Sequence, residues 1–253
     1  MPNKVLIFAD FHLGIPNYKD SLQREKKFIH FINAQTDITE IVILGDLFDF
    51  WFEYQHVVPK GYFRILSKLA ELQENGTQVS VFSGNHDLWL KNYFPDYLNI
   101  PVYHQSLIKE WFGKKFFLAH GDGLGPKDYG FKIMKKCFQN RFLQFCFRWL
   151  HPDLGISIAQ YFSQKSRKSH IISDATYHGD NEWIYQYFIR KSKQLPDVQY
   201  FIFGHRHLPI IKSQSNHQTM IVLGDWIHHF SYLEITENSV ELKFLENNYE
   251  IKH

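Results

Sequence analysis

Asn85-His86-Asp87 follows the apolar run Val79-Ser80-Val81-Phe82 and the breaker Gly84, so an amide, an imidazole and a carboxylate leave the end of a buried strand together. The same grammar recurs along the chain. Asp10-Phe11-His12 ends the run from Lys4 to Ala9, and Gly45-Asp46-Leu47-Phe48-Asp49 ends Ile41 to Leu44. His120-Gly121-Asp122 ends Phe116 to Ala119, and Gly204-His205-Arg206-His207 ends Tyr200 to Phe203. Any one of these could be a polar turn or a capping residue. Five strand ends, all carrying metal-ligating types, are poorly explained by chance. Carboxylate oxygen, amide oxygen and neutral imidazole together suit manganese, zinc or iron. Two such cations, roughly 3.5–4 Å apart and bridged by one carboxylate, clamp the attacking and leaving oxygens of an in-line displacement at phosphorus. Asp46, at the end of the second strand, is the natural bridge.

The elements that must position these groups alternate. An amphipathic helix from Leu22 to Ile32 follows the first strand, and a second from Tyr62 to Leu72 precedes the strand at Val79. Strand–helix–strand–helix–strand implies right-handed crossovers and a partly parallel sheet covered on both faces, which is an α/β fold with ligands at the carboxyl edge. Met220 to Leu223 forms a further strand ending in Gly224-Asp225-Trp226, and Tyr232 to Ile235 with Val240 to Leu245 read as a closing hairpin. Between 123 and 177 strands vanish and a helical, aromatic, basic segment takes over. The expected organisation is a core of residues 1–122 and 178–253 with a helical cap inserted at 123–177.

Within that insertion Phe131, Met134, Phe138, Phe142, Phe145 and Trp149 recur at helical spacing, predicting one stripe. Such a stripe can simply be core. The run from Phe142 to Leu150, however, is apolar nearly all round, and a lid cannot bury every face of such a helix. A lipid chain or membrane surface would supply the missing partner, with Lys and Arg meeting anionic head groups. Nucleic acid is the rival reading and ranks lower, because the aromatics cluster on helices instead of tracking a groove.

Composition bounds the rest. The 253 residues are enough for one large domain, or one domain with an insertion, and a formal charge of +2 argues against a polyanion binder by bulk electrostatics. Fifteen histidines are an excess that fits a site. Cys137 and Cys146 lack metal or redox spacing and read as reduced thiols filling space in a cytosolic protein. The chain enters a strand at once, with no signal peptide expected, and no run of 18 apolar residues predicts a membrane span.

In order, Asp-x-His, Gly-Asp-x-x-Asp, Gly-Asn-His-Asp, His and Gly-His-x-His resemble the calcineurin-like metallophosphoesterase superfamily over roughly residues 1–122 and 195–235. The resemblance implies a four-layer α/β/β/α sandwich with a dinuclear centre at the strand ends. It implies that Asp10, His12, Asp46 and His207 hold one metal and that Asp46, Asn85, His120 and His205 hold the other. It makes His86, beside Asn85, the catalytic group that contacts phosphate and donates a proton, with Asp49 and Asp87 orienting the ligands. Ala9-Asp10-Phe11-His12-Leu13, the run from Gly45 to Glu53, His120-Gly121-Asp122-Gly123-Leu124 and the helical insertion are similar, more narrowly, to the UDP-2,3-diacylglucosamine diphosphatases of lipid A synthesis. Many members of that family carry Arg where this chain has His86. The likeness implies a chamber for two acyl chains between cap and core, with Asp128 at the glucosamine and Lys165, Arg167 and Lys168 at phosphate or sugar. The expected reaction is hydrolysis of UDP-2,3-diacylglucosamine to UMP and the lipid-linked sugar 1-phosphate by two divalent ions, manganese foremost and zinc or iron as alternatives. The expected place is cytoplasmic, peripheral on the inner face of the membrane. A phosphodiesterase or nuclease acting on other nucleotides is the second reading, and a non-catalytic scaffold the third.

Overall fold

The computed structural model describes residues 3–125, 129–214, 217–246 and 251–253, and side chains at 129–132, 134 and 164–175 lie outside what it describes. In chain order, β1 (Lys4–Phe8), α1 (Tyr18–Asn33), β2 (Ile38–Leu44), α2 (Phe63–Glu74) and β3 (Gln78–Phe82) build the first half. There follow α3 (Tyr93–Leu98), β4 (Val102–Tyr103), β5 (Leu107–Trp111) and β6 (Lys114–Ala119). Three helices come next, α4 (Tyr129–Gln139), α5 (Arg141–Arg148) and α6 (Pro152–Ala175), and then α7 (Trp183–Gln194). The chain closes with β7 (Tyr200–Phe203), β8 (Pro209–Ser213), β9 (Thr219–Leu223), β10 (Ser231–Ile235) and β11 (Val240–Phe244).

Two sheets result, ordered β11-β10-β1-β2-β3-β4 and β5-β6-β7-β9-β8. Alternation along each strand separates three apolar layers. Leu6 and Phe8 of β1 pack outward with Phe28 of α1 and Ile65 and Leu69 of α2. Val5 and Ile7 face the space between the sheets, where they meet Phe116 and Leu118 of β6, Ile202 of β7 and Ile221 of β9. Phe117 and Phe201 face the other way, onto Ile184 and Phe188 of α7. Helices, sheet, sheet, helix is the four-layer α/β/β/α sandwich expected. α1 begins earlier than its apolar pattern predicts, because the Asn17 side chain accepts the Asp20 N–H at 3.1 Å and caps the helix there.

β1, β2 and β3 run parallel in one sheet, as do β6, β7 and β9 in the other. Parallel pairing carries the carboxyl ends of neighbouring strands to one edge of their sheet. The motif-bearing ends thereby become neighbours.

Two expectations for the insertion need correction. The aromatic stripe is not one helix: Asn140 interrupts it, its side chain accepting the N–H groups of Phe142 and Leu143 and starting α5 afresh. Cys137 and Cys146 are free thiols, but both are exposed and fill no interior space. No helix among the described residues is long and apolar enough to cross a membrane.

Candidate metal centre

The loops after the six parallel strands are stitched to one another through the backbone. Asp10 N–H donates to Gly45 O at 3.1 Å, His12 N–H to Asp46 O at 2.9 Å, and Gly204 N–H to His120 O at 2.9 Å. Asp10, His12, Asp46, His205 and His207 all have φ between 44° and 66°, a conformation uncommon for residues with a side chain and concentrated at functional sites. Glycines make the close approach possible. A Cβ on Gly84 would lie 2.6 Å from Asp46 Cγ, and one on Gly45 would lie 2.3 Å from His120 Nδ1.

Three ligand groups converge: Asp10 with His12 and His207, His12 with Asp46 and His86, and Asp46 with His120 and His205, each with ligand atoms within 4.8 Å of one another. Asp46 belongs to two of them, with Oδ2 3.5 Å from His12 Nε2 and 3.2 Å from His120 Nε2. Asn85 Oδ1 lies 3.3 Å from His120 Nε2. The eight atoms' owners are drawn from five strand ends and both sheets.

The donor set fits divalent cations. Asp10 Oδ1 is buried without a hydrogen-bond partner, a cost proteins ordinarily avoid. Nε2 of His12 and Nε2 of His207 face each other at 3.2 Å, which two neutral acceptors tolerate only with a proton or a cation between them. Burial alone would keep His12 neutral, yet Asp46, Asp10 and Asp49 outweigh it and raise the imidazole to about 10. His120 likewise overcomes burial through Asp46 and is raised to about 10. His205 is pushed down to about 3 by burial and by His120.

Supporting contacts set the orientation of these groups. His120 Nδ1 lies 2.8 Å from Leu44 O, which directs Nε2 toward Asp46. Asp87 accepts the N–H groups of Leu47 at 2.8 Å and Gly84 at 2.7 Å, tying the Asp46 and Asn85 loops together. His86 N–H donates to Asp46 Oδ1 at 2.9 Å, and His86 Nδ1 lies 3.1 Å from Asp49 O. Asp49 lies 3.7 Å from His12 Nδ1 and 3.4 Å from His86 Nδ1 through Oδ1.

Two residues close to this centre were not singled out by sequence. Asp225, at the end of β9, stands 3.5 Å from His207 Nδ1. Its signal was present, since Gly224-Asp225 repeats the strand-end grammar of Gly45-Asp46. Ser163 of α6 reaches both Asp49 and His86, and nothing in its neighbourhood in the sequence marks it. Asp128 lies outside the described residues, and the side chains of Lys165, Arg167 and Lys168 do too.

α4–α6 meet the core through aromatic and polar contacts. Phe147 packs on Phe52 and Trp89 at 4.7 and 5.0 Å, and Trp89 Nε1 donates to Phe138 O at 2.6 Å. Phe147 thus finds a partner in the core, whereas Phe142, Phe145, Trp149, Tyr161 and Phe162 are between 54% and 77% exposed. On another side of Asp49 a cleft of about 600 Å³ opens, walled by Tyr18, Ser21, Lys60, Tyr62 and Gln160 among others.

Residues 3–209 match the family model of calcineurin-like phosphoesterases. The chain is 31% identical to the UDP-2,3-diacylglucosamine hydrolase of Porphyromonas gingivalis, over 98% of this chain and 99% of that one. It is 28% identical to the enzyme of the same name from Histophilus somni, over 94% and 98%. A solved structure of a hypothetical protein from Pyrococcus horikoshii shares the fold, with a TM-score of 0.50 and 11% identity over 98% of this chain and 88% of that one. The matched span runs from β1 past the histidine pair that follows β7, and with it this chain is a phosphoesterase that belongs to the calcineurin-like family.

Proposed function

We propose that this chain hydrolyses the diphosphate of UDP-2,3-diacylglucosamine, giving UMP and the lipid-linked sugar 1-phosphate, in lipid A synthesis. The observation that carries the reading is the contact of Ser163, on α6 of the helical cap proposed for residues 123–177, with Asp49 and His86 at the phosphoesterase centre. Full-length similarity to hydrolases of that name supports it.

Asp10, His12, Asp46 and His207 would hold one divalent cation, and Asp46, Asn85, His120 and His205 the other, with manganese as the resident metal and zinc or iron as the ions to exclude by analysis. Such a pair supplies Lewis-acid charge at phosphorus and makes the attacking water more acidic. His86, held at Nδ1 by the Asp49 carbonyl, presents Nε2 to the phosphate and donates a proton to the departing oxygen. Asp49 and Asp87 keep His12, His86 and the two ligand loops in place. Asp128, Lys165, Arg167 and Lys168 would bind the sugar and phosphate. The cleft beside Asp49, with its tyrosines and Lys60, is of a size for small-molecule sites and would take the nucleotide half.

The exposed aromatics of α5 and α6 would meet acyl chains and the inner face of the cytoplasmic membrane, making the enzyme peripheral. Nucleic acid has no part in this reading. The test is manganese-loaded protein offered UDP-2,3-diacylglucosamine, deacylated UDP-glucosamine, a chromogenic diester and single-stranded DNA, with products followed by phosphorus NMR. Release of UMP from the lipid substrate at far higher kcat/KM than from the others is expected. Equal rates on the soluble diester or DNA would replace the proposal with a general phosphodiesterase.

A further inference from the structure

His207 faces the candidate centre with one ring nitrogen and a buried carboxylate with the other. Nε2 lies 3.2 Å from His12 Nε2 and 3.5 Å from Asp10 Oδ1. Nδ1 lies 3.5 Å from Asp225 Oδ2. A carboxylate behind an imidazole fixes which nitrogen carries the proton, holds the ring plane and makes the metal-facing nitrogen a better donor.

Asp225 is rigidly placed for this. It is 2% exposed, and its Oδ1 accepts the backbone N–H groups of Ile227 at 3.1 Å, His228 at 2.7 Å and His229 at 2.9 Å. His229 Nδ1 also stands 3.3 Å from that oxygen. These donors anchor Oδ1 and leave Oδ2 turned to His207. The loop is fastened in turn: Trp226 N–H donates to Asp10 O at 3.1 Å, and Ser231 N–H to Asp225 O at 3.2 Å. Asp225 and His207 follow neighbouring parallel strands, β9 and β7, so their spacing is set by the sheet.

We propose that Asp225 is a positioning residue that holds His207 with its proton on Nδ1 and its Nε2 aimed at the cation shared with Asp10, His12 and Asp46. The inference rests on the metal-centre reading above and adds a residue to it. At 3.5 Å the contact is longer than an ideal hydrogen bond, and such contacts tighten when the site is filled. The competing role is structural, with Asp225 serving only to cap the turn at 227–229.

Asp225→Asn separates the two roles. An amide oxygen can still accept the three backbone N–H groups, whereas an amide NH₂ cannot accept the His207 proton. Metal-free wild type, Asp225→Asn and Asp225→Ala would be titrated with Mn²⁺ by calorimetry, and the metal-free forms melted. The expected result is Asp225→Asn melting close to wild type while binding one of two ions roughly 10–100-fold more weakly. The His120 and His205 site should keep its affinity. Asp225→Ala should show the same weakening and also melt lower. Nitrogen-15 spectra of the imidazoles should find Nδ1–H at His207 in wild type and lose that preference in Asp225→Asn. Wild-type affinity at both sites in Asp225→Asn would overturn the inference, as would equal weakening of both sites with a fall in melting temperature. A wild type that takes up no Mn²⁺ would overturn the metal-centre reading and this inference with it.

Discussion

The Ser163 hydroxyl on α6 lies 3.1 Å from each carboxylate oxygen of Asp49 and 3.2 Å from His86 Nδ1. One small side chain thus connects the inserted helices to two groups at the strand ends. Hydrogen bonds to charged groups contribute about 1.5–3 kcal/mol. Ser163→Ala is expected to lower kcat/KM for the lipid substrate by roughly 10-fold or more, with Ser163→Thr largely restoring it. A chromogenic diester, too small to engage the helices, should be affected less. Equal loss on both substrates would mean that Ser163 does not couple helices to chemistry.

Asp46 belongs to two of the three ligand groups, and Asn85 contributes an oxygen beside His120. Asp46→Ala and Asn85→Ala are each expected to abolish turnover and to lower bound metal, while far-ultraviolet circular dichroism stays near wild type, because both residues sit beyond strand ends. Metal content and activity are measured on the same samples. Full activity in metal-depleted Asp46→Ala would sink the two-ion arrangement.

His86 stands close enough to His12 and Asp46 to be read as a ligand. Its Nδ1 is turned to Asp49, and the acid role predicts a different signature. His86→Ala should slow turnover by roughly 10²–10⁴-fold, the usual scale of general acid catalysis, with both ions retained. Loss of an ion by elemental analysis would make His86 a ligand instead.

His12 and His120, both raised to about 10 beside Asp46, give the metal-free protein a defined pH response. A folded-state pKa above the unfolded value contributes stability that is fully present below about 6.5 and is lost as pH rises toward 10. Metal-free protein should therefore lose melting temperature between pH 6.5 and 10, and manganese-loaded protein should lose less. Mn²⁺ binding near pH 8 should release about two protons from these imidazoles. Calorimetry in buffers of different ionisation enthalpy reads that number directly, and a value near zero would contradict it.

The exposed aromatics of α5 and α6 predict a dependence on chain length. Each methylene buried against them contributes about 0.8 kcal/mol, so shortening both acyl chains should raise the apparent KM steeply. Lys168→Ala should impair the lipid substrate and spare a soluble diester. A KM that does not change with chain length would remove the acyl chains from the cap.

The strand ends were legible in the sequence because their information is local. An apolar run, a glycine and a ligand type lie within a few residues of one another, and parallel strands must bring such ends to one edge. Cover on both faces of the sheet was legible for a similar reason, since the continuous apolar run of β1 and the apolar faces of α1 and α2 call for it, whereas the four-layer stacking was implied only by the family resemblance. The insertion was less legible. Helical spacing predicts a stripe from Phe131 to Trp149, but spacing cannot see that Asn140 caps a new helix, because a cap competes with the helix it interrupts. Short elements such as α3, β4, β5 and β8 carried too few periodic residues to register. The pairs depend on packing between distant elements. Asp225 meets His207 because β9 lies beside β7. Ser163 meets Asp49 across 114 residues because Phe147 and its neighbours seat the inserted helices on Phe52 and Trp89. Residue types and local spacing state what chemistry a chain carries, and the packing of distant elements states which side chains hold that chemistry in place.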